Sequence, residues 1–318
     1  MSWFVISLIT MLCWGAADLF YKKGTDESDR DSHLKIAVWV GLVMGVSALV
    51  LLPFSETGFS FGSFILNAVK YSPASLSYIA SMVIGYAGLR YLEVSIISPI
   101  QNASGAFSTI AMAVFFALKG TFESFSEEFS VLDVVGTIII VIGVISLAFV
   151  EKNISKASDV DTKNGIAKSL PALIFPIGYC IFDTLGTAAD GIILDEDAGL
   201  GLGEIDVLVL YGLTFMMFGL IAWIVLTAKS HKIYNPFSSS EKNKCFAALF
   251  EEGGQIFYVF AMAKRPMLAA PMVASYCIVS VILSRIFIKE KLKISQYLCV
   301  FTVIAGIVIL GISEGLSY

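Results

Sequence analysis

Residues 86–119 read YAGLRYLEVSIISPIQNASGAFSTIAMAVFFALK, and residues 258–291 read YVFAMAKRPMLAAPMVASYCIVSVILSRIFIKEK. The two stretches match at a shift of 172 positions. The coinciding pairs are Tyr86/Tyr258, Pro99/Pro271, Ser108/Ser280, Ile110/Ile282, Phe115/Phe287 and Lys119/Lys291. Either stretch alone resembles an ordinary membrane helix pair. Their repetition predicts a chain of two similar halves, an organisation typical of transporters.

The composition is that of an integral membrane protein. Of 318 residues, 57% are hydrophobic and only 15% are charged, whereas a soluble domain is about 25% charged. One membrane-spanning helix needs about 20 apolar residues. Ten such windows are present, at residues 2–21, 34–53, 72–92, 95–118, 131–150, 170–194, 205–228, 245–264, 267–288 and 294–313. These windows leave no room for a separate soluble domain, and their length excludes a membrane β-barrel.

The windows predict an all-α integral membrane fold with ten transmembrane helices arranged as two inverted five-helix repeats. Five crossings per half is an odd number, so the second half must enter the membrane from the opposite side to the first. We expect the first repeat at residues 1–150 and the second at 169–318. The polar, mixed-charge stretch 151–168 is the expected linker.

Lysine and arginine residues predict the orientation. Seventeen of the 21 fall in loops on the side opposite to both termini. Because cytoplasmic loops carry the excess of Lys and Arg, this bias predicts a multi-pass protein of the plasma (inner) membrane with both termini outside.

Five carboxylates lie inside predicted spans: Asp18, Asp183, Asp190, Glu251 and Glu252. Ionisable groups inside a membrane are costly and usually functional. Few cations lie at the same depth, so the interior is acidic on balance. A proton or a cationic ligand can compensate such carboxylates, which predicts a site for a positively charged solute and for protons.

An aromatic ring precedes an acid by one helical turn in each half. Trp14 and Asp18 are four residues apart, as are Tyr179 and Asp183. Residues at this spacing share a helix face, and an aromatic ring beside a carboxylate is suited to an amine or a quaternary ammonium. The alternatives are that the rings only pack and that Asp18 pairs with Lys22 one turn on.

Three further acids are predicted to couple protons. Asp190 lies seven residues after Asp183 and faces the same way. Glu251 and Glu252 are adjacent and repel each other, so a proton on one of them relieves the repulsion. Glu251 also forms a polar stripe with Gln255 and Tyr258 at spacings of four and seven residues. The alternative is that residues 245–252 begin the helix outside the membrane.

The repeated stretches supply the remaining candidates. Gln101 and Asn102 are amides inside a span and are expected to hydrogen-bond the solute. Tyr86, Tyr258 and Tyr276 are expected to line the cavity. The serines of these spans, Ser98 and Ser280 among them, are interpreted as helix-packing positions, because small hydroxyl residues are common there.

The pattern resembles the drug/metabolite transporter superfamily, of the EamA-type duplicated ten-helix kind, over nearly the whole chain. The resemblance rests on residues 14–15 (WG), 86–89 (YAGL) and 287–292 (FIKEKL) and on the glycine at 306. It implies a secondary carrier with its substrate cavity between the halves. It also implies cytoplasmic termini, opposite to the charge bias.

From the residues and the resemblance we expect an alternating-access transporter of a small polar metabolite that bears an amine or another cation, such as an amino acid, an amine or a choline-like molecule, with proton coupling. A nucleotide-sugar or organic-phosphate antiporter is an alternative that would need cavity lysines or arginines. A non-transporting membrane scaffold is another. An enzyme is not expected, since no nucleophile–base pair is readable. We expect no cofactor, metal site or nucleic-acid partner, and a homodimer is left open.

Overall fold

The computed structural model describes residues 1–26, 29–55, 61–92, 94–120, 129–160, 172–196, 199–289 and 292–316. The helices are α1 Trp3–Gly24, α2 Ser32–Leu51, α3 Phe61–Gly88, α4 Val94–Asn102, α5 Ser104–Lys119, α6 Val131–Val160, α7 Ile174–Leu194, α8 Glu204–Ser230, α9 Lys242–Lys264, α10 Pro266–Ala274, α11 Tyr276–Leu283 and α12 Ile294–Leu316. The first ten residues of the expected linker continue α6. Its remaining residues, 161–168, lie outside the described residues.

The expectation of an all-α membrane protein is confirmed. Among the described residues, eight helical segments are long and apolar enough to cross a membrane. Large apolar side chains also cover the outer surface, such as Leu118 at 84% exposure and Phe301 at 66%. Exposed apolar area on this scale marks a surface that contacts lipid. The predicted windows 72–92 and 245–264 fall in α3 and α9, which are helical but are not among these eight.

Two of the membrane-length segments are broken at a single residue. The α4 helix ends at Asn102 and α5 begins at Ser104, so Ala103 interrupts the first segment. Ser275 interrupts the second in the same way, between α10 and α11. The two breaks are 172 residues apart, and each follows a proline by four residues, Pro99 and Pro271. A proline removes one backbone donor and weakens the turn around it.

Close helix contacts build the core around these broken segments. The most extensive pairs are α2 with α8, α1 with α9, α3 with α7, and α6 with α12. Glycine permits the first contact, because a Cβ on Gly41 would lie 2.7 Å from the Cα of Gly219. Without a side chain at these crossings the backbones approach closely, as small residues allow in membrane helices.

Helix packing follows one rule through most of the bundle. The α1 helix packs on α9 and α11, and α7 packs on α3 and α5. Likewise α2 packs on α9, and α8 packs on α3. Exchanging each helix for its counterpart six places away in the helix order reproduces these contacts. The counterparts are α1 and α7, α2 and α8, α3 and α9, and α5 and α11.

Candidate functional site

A cavity of about 60 Å³ lies at the centre of the bundle, between α1, α3, α7, α9 and the two broken segments. Aromatic rings form much of its wall: Trp14, Tyr21, Tyr78, Tyr86, Tyr179, Tyr211, Tyr258 and Tyr276. Its polar side chains are Asp18, Gln101, Asn102, Ser104, Asp183, Thr187, Glu251 and Gln255. The cavity is thus a largely aromatic chamber that contains three carboxyl groups.

The structure brings most of the sequence-predicted residues together. All nine predicted substrate-binding residues line this one cavity, and so does Glu251. Gln255 and Tyr258 line it as well, which agrees with their predicted stripe on α9. Asp190 and Glu252 lie outside the wall.

Asp18 is held by serines from both halves of the chain. The hydroxyls of Ser98 in α4 and Ser280 in α11 each donate to its Oδ2 at 2.6 Å. A carboxylate that accepts short hydroxyl hydrogen bonds is fixed in orientation. Since both serines use one oxygen, Oδ1 accepts no hydrogen bond from the described residues and is available to a ligand.

The suggested pairing of Asp18 with Lys22 is wrong. The Lys22 ammonium instead donates to the carbonyl oxygens of Leu89 and Leu92 at 2.9 and 3.2 Å. These carbonyls follow the end of α3, where the last backbone acceptors have no partner within the helix. The lysine therefore binds free carbonyl oxygens after a neighbouring helix and not the acid on its own helix, which the i+4 spacing could not reveal.

Asp183 is held by the first residue of α5. The hydroxyl of Ser104 donates to its Oδ2 at 2.6 Å. The interpretation of Ser98 and Ser280 as packing residues is therefore incomplete, because these two serines and Ser104 all orient carboxylates. Ser108, by contrast, bonds the carbonyl of Gly105 within its own helix, as a packing position would.

Three contacts fix the position of the Trp14 ring. Its indole N–H donates to the carbonyl oxygen of Glu251 at 3.1 Å. Its ring lies 5.1 Å from the Tyr258 ring and 5.7 Å from the Tyr276 ring, the latter edge-on. A Cβ on Gly254 would overlap the indole. The glycine of α9 therefore allows the close approach of α1.

Tyr179, the corresponding ring of α7, has a matching arrangement. A Cβ on Gly85 of α3 would lie 2.7 Å from its ring. Each aromatic residue of the two predicted aromatic–acid pairs thus occupies space left by a glycine of the helix packed against it. Both rings line the cavity in the positions that these glycines allow.

Tyrosine hydroxyls pair at two levels of the cavity wall. Tyr21 and Tyr86, near the ends of α1 and α3, lie with their hydroxyl oxygens 3.2 Å apart. Tyr78 and Tyr258 are paired at 2.8 Å, and the Tyr78 hydroxyl also donates to Thr187 at 3.3 Å. Tyr258 is seven residues beyond Glu251 on α9, about 10 Å farther along the helix.

The cavity is acidic and lacks fixed positive charge. Its described wall contains no lysine, arginine or histidine. The ion pairs within the described ranges join other residues: Lys35–Asp29, Lys229–Asp31, Lys244–Glu241 and Arg265–Asp133. The five carboxylates singled out above take part in none of them. Uncompensated carboxylates in such a site attract a proton or a cation.

The two remaining predicted acids have separate surroundings. Glu252 lies beside Ser47 of α2, a helix that packs on α9. Asp190 is completely buried, and the hydroxyls of Tyr71 and Tyr78 face it. Asp190 shares a helix face with Asp183, as predicted, but seven residues carry it about 10 Å along the axis and out of the cavity.

Three cavity tyrosines, Tyr21, Tyr78 and Tyr211, were not anticipated from the sequence. For Tyr78 a signal exists, since Tyr71, Tyr78 and Gly85 recur every seven residues and so share one face of α3. For Tyr21 and Tyr211 no comparable spacing distinguishes them from packing residues.

Comparison with known proteins adds a likeness of fold. No family model matches the chain, and no curated protein matches it either. A crystal structure of another protein superposes with a TM-score of 0.57, covering 96% of this chain and 95% of that one at 12% identity. Agreement over both full lengths shows that the whole helical arrangement occurs elsewhere, and it shows the fold alone.

Proposed function

We propose that this chain is a secondary transporter that carries a small, positively charged polar metabolite, of the amine or choline-like class, across the plasma membrane. The observation that supports this most is the composition of the cavity wall. Three carboxyl groups and eight aromatic rings face one chamber whose described wall has no basic residue. Carboxylates supply charge, and aromatic faces bind ammonium groups with about 0.5–2 kcal/mol each.

The architecture we propose is ten transmembrane helices in two inverted five-helix repeats, of the EamA type in the drug/metabolite transporter superfamily. Three observations support it. The helix breaks at Ala103 and Ser275 keep the 172-residue shift of the sequence repeat. Most helix contacts are reproduced when each helix is exchanged for its counterpart in the other half. The cavity lies between the halves and beside both broken segments, as it does in carriers built from inverted repeats.

Alternating access is part of the proposal, and the two tyrosine pairs support it. Tyr86 and Tyr258 are counterparts under the 172-residue shift, and their hydroxyl pairs lie at different levels of the cavity wall. In the proposed cycle, the two pairs act as gates, and one opens while the other stays closed. A volume of about 60 Å³ holds roughly four water molecules, which suits a compact ammonium group.

The nucleotide-sugar or organic-phosphate alternative is less well supported. Anionic groups are bound by arginine and lysine or by helix N-termini, and the described cavity wall offers carboxylates in their place. A non-transporting scaffold would not require an acidic aromatic cavity in its core. Measurements of uptake distinguish both alternatives from the proposed cation transporter.

Uptake into proteoliposomes tests the proposal. Purified protein is reconstituted with an inward or outward pH gradient, and labelled choline, putrescine, alanine and glucose-6-phosphate are compared. We expect saturable uptake of at least one of the two cations, dependent on the gradient, and none of the phosphate ester. Transport of the phosphate ester with both cations ignored would contradict the proposal, as would absence of transport for all four.

A further inference from the structure

We infer that Asp190 is a proton-binding site separate from the substrate cavity, connected to it through the hydroxyls of Tyr78 and Tyr258. The inference deepens the proposed function and rests on it for the link to transport. Proton binding itself rests only on the surroundings of Asp190.

Asp190 is buried without a partner. Its exposure is 0%, and neither carboxyl oxygen has a hydrogen-bond partner among the described residues. The hydroxyl of Tyr71 faces it, is 1% exposed, and is likewise unpartnered within the described chain. A bare carboxylate in such a place would cost many kcal/mol. These surroundings therefore favour a carboxyl group that carries a proton.

The surroundings favour a proton over a metal ion. The titratable groups that face Asp190 are four tyrosines, Tyr71, Tyr78, Tyr211 and Tyr258, and Asp183 on its own helix. No described lysine, arginine or histidine pairs with it. The neighbouring Gly191 packs against the thioether groups of Met112 and Met262 and against Pro266. Hard cations need a shell of several oxygen ligands, which thioethers and a proline ring do not supply.

Hydroxyl groups lead from the cavity to this site. Tyr258 lines the cavity, and its hydroxyl is 2.8 Å from that of Tyr78, which faces Asp190. A hydroxyl both donates and accepts, so a proton accepted by Tyr258 releases one to Tyr78, and Tyr78 releases its own to Asp190. Each tyrosine ends with one proton, and the aspartate becomes a neutral acid.

The last proton transfer, from Tyr78 to Asp190, needs a rearrangement of this conformation. Tyr78 and Asp190 do not meet hydrogen-bond geometry here, since both aspartate oxygens are unpartnered. Rotation of either side chain, or one bridging water molecule, completes the path. Because Tyr258 also belongs to one of the two proposed tyrosine gates, its movement would link proton exchange at Asp190 to opening of the chamber.

Infrared difference spectroscopy during a pH change tests the site without any substrate. The protein in lipid is compared as wild type, Asp190→Asn and Asp183→Asn. We expect a carbonyl band from a buried protonated carboxyl group in the wild type, its loss in Asp190→Asn, and its retention in Asp183→Asn. Identical spectra for the wild type and Asp190→Asn would overturn the inference. If Asp190→Asn does not fold, Tyr71→Phe takes its place and should shift the band, whereas an unshifted band would overturn the inference.

Transport tests the coupling. The ratio of choline uptake with a pH gradient to uptake without one is expected to fall to about 1 in Asp190→Asn. A ratio equal to that of the wild type would contradict coupling through Asp190. If wild-type protein carries no cation, the proposed function fails, and the infrared band still decides whether Asp190 binds a proton.

Discussion

Single residues determine the chemistry of the chamber. Asp18 presents a free Oδ1 because two serines share its other oxygen. The Trp14 ring is positioned by the main-chain carbonyl of Glu251 and by two tyrosine rings. An acid and an aromatic face one helical turn apart are thus fixed in position, so binding of the proposed ammonium group would carry a low cost of ordering.

The substitution Gly254→Ala, which adds one methyl group, tests whether the position of the Trp14 ring matters for binding. The added methyl group would overlap the Trp14 indole, so the ring must move from its place. A loss of about 1.4 kcal/mol of cation–π binding corresponds to a tenfold weaker affinity. We expect the KM for the transported cation to rise about tenfold.

Gly62→Ala is the matched control, because a Cβ there meets no atom within 4 Å. Its KM should stay within about twofold of the wild-type value, since exposed substitutions of this kind cost little. Equal KM values for Gly254→Ala and wild type would show that the position of the Trp14 ring does not matter to binding.

At the scale of helices, the sequence predicted which residues share a helix face better than where a helix is interrupted. The period of the α-helix was sufficient to place Trp14 beside Asp18 and Tyr179 beside Asp183, and all four residues line one cavity. The interruption at Ala103 was not predicted, although Pro99 is visible in the sequence. A proline shows that a turn is weakened, but packing between helices determines which residue leaves the helix.

The same limit explains what sequence reasoning could not place. Lys22 is one turn from Asp18, yet the carbonyls at the end of α3 bind it. Asp190 shares the face of Asp183, as predicted, but the sequence did not show that it lies outside the cavity. Helix periodicity gives the direction of a side chain, whereas the neighbouring helix and the depth in the membrane decide its partner.

The crossing of α2 and α8 makes a stability prediction. In Gly219→Ala the new Cβ would lie 2.9 Å from the Cα of Gly41 and 3.1 Å from the carbonyl oxygen of Ala37. Backbone atoms cannot move aside cheaply, and overpacking costs about 1–3 kcal/mol. We expect a clearly lower Tm in a thermal melt, with Gly315→Ala, which meets no atom within 4 Å, unchanged. A Tm of Gly219→Ala equal to that of wild type would contradict the close crossing.

At the scale of the whole molecule, the all-α membrane fold could be predicted from composition and repeat alone. Hydropathy identified ten windows, but eight segments of the described chain reach the standard of a membrane span. The α9 helix falls short because it carries Glu251, Glu252 and two glycines in its middle. The residues proposed to handle protons are therefore among those that weaken its hydropathy signal.

Topology is the second prediction at this scale. Seventeen of the 21 basic residues fall in the sequence-predicted loops opposite the termini, so both termini should be outside the cell. Alkaline phosphatase fused after residue 318 should be active, and the same enzyme inserted in the loop 229–244 should be inactive. The reverse pattern would contradict the charge bias and agree with the orientation implied by the family resemblance.

Counterflow of labelled choline in proteoliposomes tests the central claim most directly, because it requires binding and passage but no gradient. Asp183→Asn removes a cavity charge while keeping a side chain of similar shape, and Glu196→Gln changes an exposed carboxylate at the end of α7 as the control. We predict that Asp183→Asn lowers exchange at least tenfold, since a charge-assisted contact in a low-dielectric site is lost, and that Glu196→Gln exchanges as wild type. Equal choline exchange by the wild type and Asp183→Asn would contradict the claim that the acidic aromatic cavity carries a cation.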